Sequence, residues 1–291
     1  MGKAVSHLEW FDVADPHSKE LDDLARRFGL HELQIEDCRD RPQRAKTEDH
    51  DHYNFTIVKH IHQESKLRFD DVDLFLGPDF LISVRNADSA FMDHVLRRIA
   101  QEQVDRLDRV FYMILDRLVD EYQPVLDKLS EDISEIEEVV LKRPEPPTLA
   151  RIFALRRELV DFRRIASSMR DVIDALMRRE KGLLGGDLDL YFRDIYDHIA
   201  RTVDMIETYR DRLSGALDIY LSAVSNRTNE VMKVLTIWGT VTLPLVIITS
   251  FFGMNLHLPW ASDPHGTWYA LGLMTASTVG VLIYFKGKRW F

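Results

Sequence analysis

An internal disulfide is closed to this chain, because Cys38 is its single cysteine. A lone thiol pairs with nothing internally, and a reducing compartment suits it. The chain also lacks a cationic excess. Its formal net charge of −10 argues against non-specific nucleic-acid binding, so no nucleic-acid partner is expected. Residues 1–12 hold no long apolar core of the signal-peptide kind. There is no phosphate-binding Walker loop, no HExxH pair and no nucleophile elbow, so an enzyme is not expected. Proline is missing from 187 to 243, and formal charge is missing from Val234 to Ser262 and from Pro264 to Phe285.

What is present divides unevenly along 291 residues, with nearly all charge before Lys233. Up to about residue 103 the pattern is mixed. AVSHLEWFDV, YNFTIVKHIH, VDLFLG and FLISVRN read as strands, the last two separated by a turn at Gly77-Pro78-Asp79. KELDDLARRFGL and SAFMDHVLRRIA read as amphipathic helices with Ser18 and Ser89 as N-caps. The fold class expected is an α+β domain, a mixed sheet flanked by helices.

From about Asp105 the helical period takes over. One helix is expected through FYMILDRLVDEYQPVLDKLSEDISEIEEVV, stopping near Arg143-Pro144-Glu145-Pro146-Pro147. A second runs from about Thr148 to Glu180 and completes a helical hairpin. The first arm is acidic near its tip (Glu131, Asp132, Glu135, Glu137, Glu138), and the second is basic (Arg151, Arg156, Arg157, Arg163, Arg164). Charge complementarity between the arms accounts for this. Local enrichment of cations by the acidic arm is the alternative.

A third helix starts near Asp187, has no proline to interrupt it before Pro244, and is expected to continue to Phe252. Its apolar residues recur at three- and four-residue steps from Tyr191 to Leu235. At 1.5 Å per residue it spans roughly 95 Å. A helix of that length needs packing along its whole course, and self-association about an axis supplies it.

Each uncharged stretch is long enough for a membrane span, which takes roughly 20 apolar residues. Trp268-Tyr269 and Tyr284-Phe285 bracket the second as an aromatic belt, and the tail after it is basic. The connector 253–267 has no Lys or Arg, so it faces outward and both termini face the cytosol. The domains expected are 1–104, an α/β domain; 105–186, the hairpin; 187–252, a stalk helix continuing into the first span; 253–267, an outer loop; 268–285, the second span; and 286–291, a cytosolic tail. Within the first span, Asn229, Met232, Leu235, Gly239, Leu243, Val246, Ser250 and Gly253 form one stripe. Small and hydroxylated residues there suit close helix packing. They also suit a wettable pore lining with apolar members that gate by dewetting.

Gly253-Met254-Asn255, directly after the first of two C-terminal spans, resembles the motif of the CorA family of magnesium channels. The approach to the span (residues 225–236), Pro244, the basic aromatic tail, Tyr191 to His198, Ile35-Glu36-Asp37 and Gly77 to Val84 are similar to the family as well. The resemblance therefore runs along nearly the whole chain.

It implies a homopentameric funnel in the inner (plasma) membrane, with the first span of each subunit lining a pore. Gly253, Met254 and Asn255 would form the selectivity filter, the Asn255 amides holding a hydrated ion without stripping its water. The cargo implied is Mg2+, also Co2+. Cytosolic Mg2+ would close the pore by binding between subunits at Asp194, with Asp218 and the Glu48–His52 stretch, including Asp49 and Asp51, as further donors. Phe252 stands where the family commonly has tyrosine, Val246 where a hydroxyl is common, and Asp263 is the outer loop's only carboxylate.

The histidine pairs 50/52 and 60/62 read as surface or core residues, with no third ligand spaced to complete a zinc site. His257 and His265 read as loop residues. Two rival readings stay open: a Zn2+ transporter of the same superfamily, and a membrane-anchored coiled-coil scaffold whose spans only tether it.

Overall fold

The computed structural model describes residues 9–63, 67–86, 91–142, 145–178, 183–254 and 264–288. The chain divides into two compact units, Met1–Leu217 and Asp218–Phe291.

The first unit is built on a five-stranded sheet. Its strands are β1 (Trp10–Val13), β2 (Lys46–Asp49), β3 (Asn54–Gln63), β4 (Leu67–Leu76) and β5 (Leu81–Val84), in the order β1-β5-β4-β3-β2. β1 runs parallel to β5 and the other pairs are antiparallel, so the sheet is mixed. Both faces are covered. On one lie α1 (Lys19–Phe28) and α2 (Glu32–Arg39), packed on Val13, Phe55, Phe75, Ile82 and Val84. On the other lie α4 (Leu107–Asp120), α5 (Tyr122–Lys142) and α6 (Pro146–Met177); Tyr122 donates to the Lys59 carbonyl at 3.1 Å. Burial on both faces explains why Val72 to Leu76 is continuously buried and alternation is weak there.

Local chemistry sets several boundaries. α1 ends at Gly29, whose φ of 63° is the left-handed conformation glycine adopts without a Cβ penalty. Ser18 occupies the N-cap position of α1 in extended conformation, but its hydroxyl makes no cap bond. Ser89 lies outside the described residues. β4 and β5 are joined through Gly77, whose N–H donates to the Phe80 carbonyl at 2.8 Å. A Cβ on Gly77 would collide with the Phe80 ring.

The helical region departs from the sequence expectation. The single first arm of the hairpin is two helices, α4 and α5, interrupted at Glu121. Pro124 is the cause: its ring clashes with the carbonyl four residues back, that of Asp120, so the helix restarts with Pro124 in the first turn of α5. α3 (Phe91–Glu102) packs beside α4. Charge pairing in the hairpin also differs. Arg151 does bridge to Glu135 across the arms at 2.8 Å. Glu137 instead takes Arg212 of α7 (Asp189–Phe252) at 2.7 Å, and Arg163 pairs with Glu207 of α7. The arm charges thus fasten the hairpin to the long helix as much as to each other.

α7 follows a single 3-10 turn at Gly186–Leu188. Arg106 reaches Asp187 at 2.8 Å, and the Gly185 N–H donates to Asp108 at 2.9 Å, so the starts of α4 and α7 are tied together. Within the first unit, Phe192, Ile195, Ile199, Val203, Ile206, Tyr209, Leu213 and Ala216 form the buried stripe of α7. Tyr191, placed on that stripe by sequence, is 39% exposed.

The second unit holds the rest of α7 and α8 (Gly266–Gly287). Both helices are long and apolar enough to cross a membrane. From Leu221 to Ile247 no residue is buried. Leu221, Val231, Leu235 and Ile247, each more than half exposed, need lipid or further chains to cover them.

Candidate functional site

The apolar half of α7 has two distinct faces. Ile237, Val241, Pro244, Leu245, Ile248 and Phe252 are partly or wholly covered, and they recur at helical spacing. On α8 the covered positions are Ala270, Met274, Ser277, Thr278, Val281 and Phe285, again one stripe. The other face of α7 carries Asn229, Met232, Leu235, Gly239, Leu243, Val246, Ser250 and Gly253, every one exposed. At roughly 100° per residue the centres of the covered and open stripes on α7 lie about 180° apart. The described unit thus leaves open the face sequence analysis chose. Met232, Leu235, Leu243 and Val246 are 55%, 65%, 62% and 51% exposed, an apolar run left open among the described residues.

Two hydroxyls in this segment bond back along the helix. Thr236 donates to the Met232 carbonyl at 2.7 Å and Thr249 to that of Leu245 at 2.9 Å. Pro244 sits inside the helix and has no N–H to give the Thr240 carbonyl. α7 ends at Phe252; the Gly253 N–H still donates to Thr249 at 2.9 Å, and Met254 follows, 42% exposed. Asn255, His257 and Asp263 lie outside the described residues. His265 takes the N-cap position of α8.

The carboxylates singled out by sequence occupy separate places. Asp194, with a side chain 65% exposed, stands 3.9 Å from His198, whose other ring nitrogen is 3.9 Å from Asp120. Burial, then the nearby Asp116 charge, hold the Asp120 carboxyl above its ordinary range. Asp49 ends β2 and Asp51 lies in the β2–β3 connection, both exposed. The Asn54 amide donates to Asp49 at 3.3 Å. Asp49 and Asp51 share a cavity of about 640 Å³ with Asp189, at the start of α7. Asp218 is exposed and belongs to the second unit. Among the described residues no three His, Cys, Asp or Glu side chains converge as a metal site.

Asp189 and Asp120 were not singled out by sequence. An acid in the first turn of a helix is common for dipole reasons, so Asp189 carries no distinctive signal. Asp120 becomes relevant only when α4 packs beside α7. The histidine pair on β3 is structural: His60 contacts Glu121 at 2.6 Å and His62 contacts Asp70 at 2.9 Å. Burial, then the neighbouring His60, hold His62 below its ordinary value.

Comparison with known proteins fits this arrangement. Residues 5–289 match the family model described as CorA-like Mg2+ transporter protein. The chain is 35% identical over 290 residues to the cobalt/magnesium transport protein CorA of Thermotoga maritima, covering 97% of this chain and 83% of that protein. It is 25% identical over 289 residues to the protein of the same name from Methanocaldococcus jannaschii, covering 97% and 91%. In fold it is similar to the solved CorA magnesium transporter of Methanocaldococcus jannaschii, with a TM-score of 0.87, 24% identity, and coverage of 98% of this chain and 92% of that one. With the family model matching from residue 5 to residue 289, this chain belongs to the CorA-like Mg2+ transporter family.

Proposed function

We propose that this chain is one subunit of a divalent-cation channel that carries Mg2+, and also Co2+, into the cell. Five copies surround a common axis in the inner membrane, with both termini cytosolic. The open stripe of α7 from Asn229 to Gly253 lines the conduit, and α8 stands outside it. The observation that carries this reading is the roughly opposite placement of the two α7 stripes. The α8 helix leaves uncovered the face that holds the polar Asn229 and Ser250 and the small Gly239 and Gly253. Met232 and Leu235 form the narrow apolar section, which gates by dewetting.

At the outer mouth, Gly253, Met254 and Asn255 form the filter. Mg2+ gives up water reluctantly, so a ring of neutral amides hydrogen-bonding to the hydrated ion suits it better than a stripped site. The membrane potential drives entry, contributing about 2.3 kcal/mol per charge per 100 mV and roughly double for a divalent ion.

Regulation is by cytosolic Mg2+. Asp194, Asp218, Asp49 and Asp51 are exposed on their own chain, where they fit a metal only as part of a donor set. A neighbouring copy completes that set, and the metal neutralises carboxylates that otherwise repel across the interface.

Ion flux into liposomes across Mg2+, Co2+ and Zn2+, wild type beside Asn255→Ala, tests the reading. Mg2+ flux lost in the variant with assembly intact is the expected result. Unchanged flux would remove the filter assignment, and a preference for Zn2+ coupled to a proton gradient would reassign the cargo.

A further inference from the structure

A second cavity, of about 820 Å³, lies wholly in the first unit, between β3, β4 and the approach to β2 on one side and α6 and α7 on the other. Its size falls in the range of small-molecule sites, roughly 300–1,000 Å³. Its lining runs against the composition of the chain. Five arginines, Arg44, Arg68, Arg163, Arg164 and Arg210, border it, against two carboxylates, Asp161 and Asp171, in a protein of net charge −10. We propose that this cavity binds a small organic polyphosphate, its phosphates on the arginines and its apolar body on the floor.

Arg68 is committed to Asp70 at 2.9 Å, while the ion pairs of Arg44 and Arg164 leave donors on those two guanidiniums. Arg44 reaches Asp171 only at 3.8 Å, and Arg164 reaches Asp161 only at 3.7 Å; the arginine side chains are 80% and 76% exposed. Asp171 also has Arg170 at 3.8 Å, so it is divided between two cations. Arg163 and Arg210 converge on one carboxylate, Glu207. A guanidinium offers five N–H donors in a planar fork, and a carboxylate engages two of them at most in one bidentate pair. Donors remain on several arginines around one concavity, which is the arrangement a multiply charged phosphate chain satisfies.

Between the arginines the lining includes the apolar Leu67, Phe69 and Val160 and the buried Leu159 and Ile206, beside Gln43, Ser167 and Ser168. Val160 is 55% exposed, so its side chain is accessible to a ligand in the cavity. Phe69 is half-buried, its ring 5.9 Å from that of Phe162, and offers an aromatic surface. An inorganic anion would leave this floor bare. A purely apolar ligand would leave Arg44 and Arg164 with only their long contacts to Asp171 and Asp161. Lys59 also borders the cavity, but it is 2% exposed and committed to Asp71, so it supports the floor and is not counted as a ligand group. None of its lining residues is among those proposed to line the conduit.

The test uses the full chain in detergent micelles with EDTA and no divalent cation. ATP and inorganic triphosphate are titrated by calorimetry, with thermal melts alongside. ATP is expected to bind once per chain, to raise the melting temperature, and to bind at least about tenfold tighter than triphosphate. Arg44→Ala with Arg164→Ala is expected to weaken both ligands about tenfold or more while the unliganded melt is unchanged, because both side chains are largely exposed. Val160→Glu, which places an anion on the floor, is expected to abolish ATP binding at the same unliganded stability. Absence of heat and of a thermal shift at millimolar ATP overturns the proposal. So does equal binding by the double arginine variant, or triphosphate as tight as ATP.

Discussion

Asp73 illustrates how one buried group changes the pH behaviour of the first unit. It is 0% exposed, on the central strand β4, beside Arg41 and Cys38. Burial pushes its carboxyl up from 3.8 to about 6, against the opposing pull of Arg41. Between those values the folded protein binds a proton that the unfolded chain has released, so this group's contribution to stability falls as pH rises through the window. Above about pH 6 the burial cost is present in full. Asp73→Asn removes that dependence, while Arg41 keeps the carbonyls of Cys38, Asp71 and Val84 as acceptors. Thermal melts of the two proteins should show the variant gaining on wild type between about pH 4 and pH 6. Parallel curves would mean that Asp73 does not titrate there. Asp194 makes a second residue-scale case. Asp194→Ala should shift half-inhibition of flux by internal Mg2+ to higher concentration, read in liposomes loaded with graded Mg2+; an unchanged inhibition curve would take Asp194 out of regulation.

Helix attachment is the issue at the scale of elements. Arg212 on α7 meets Glu137 on α5 through two hydrogen bonds, 3.0 and 2.7 Å, and also reaches Ser130 and Ser134. Both side chains are about a third exposed, so solvent screening limits the pair. A double-mutant cycle with Arg212→Ala and Glu137→Ala should give a coupling of about 1 kcal/mol, decreasing with salt. The exposed Lys142–Glu138 pair within α5 should give about zero. Gly77 tests the β4–β5 connection. Gly77→Ala drives a methyl into the Phe80 ring and should cost about 1–3 kcal/mol, measured by denaturant unfolding of the soluble unit in the full chain.

Elements were unevenly legible in the sequence. β3, β4, β5, α1, α3 and the whole course of α7 follow from periodicity, which is a local property. β2, with the sequence KTED, has no apolar pattern and exists because β3 offers an edge to pair with. α2 is eight residues with little amphipathic character, held by its contacts under the sheet. The break at Glu121 was legible in principle from Pro124, but the strong helical period on either side masks it.

At the scale of the whole molecule, the proposed pentamer would cover the exposed apolar run on α7 with other copies of the chain. Light scattering of the detergent-solubilised protein should give five times the 34.0 kDa chain mass after subtraction of detergent. Leu235→Cys should place a ring of thiols in the conduit, and added Cd2+ should then reduce Mg2+ flux roughly tenfold. Trp238→Cys, on a different face, should leave flux unaffected by Cd2+. The native thiol does not interfere, since Cys38 is 0% exposed and burial pushes its ionisation far up. Equal sensitivity of the two variants would show that the open stripe does not face the ions.

By itself the sequence determined the two apolar helices, the uninterrupted course of α7 and the charge asymmetry along the chain. Each is set by runs or repeats within one segment, where hydropathy and helix period act locally. Tertiary structure alone decided which face of α7 stays open, that Asp120 stands near His198, and that arginines from residue 44 to residue 210 border one cavity. Those outcomes depend on how separate elements pack, through contacts between residues far apart in the chain. No local pattern carries that information.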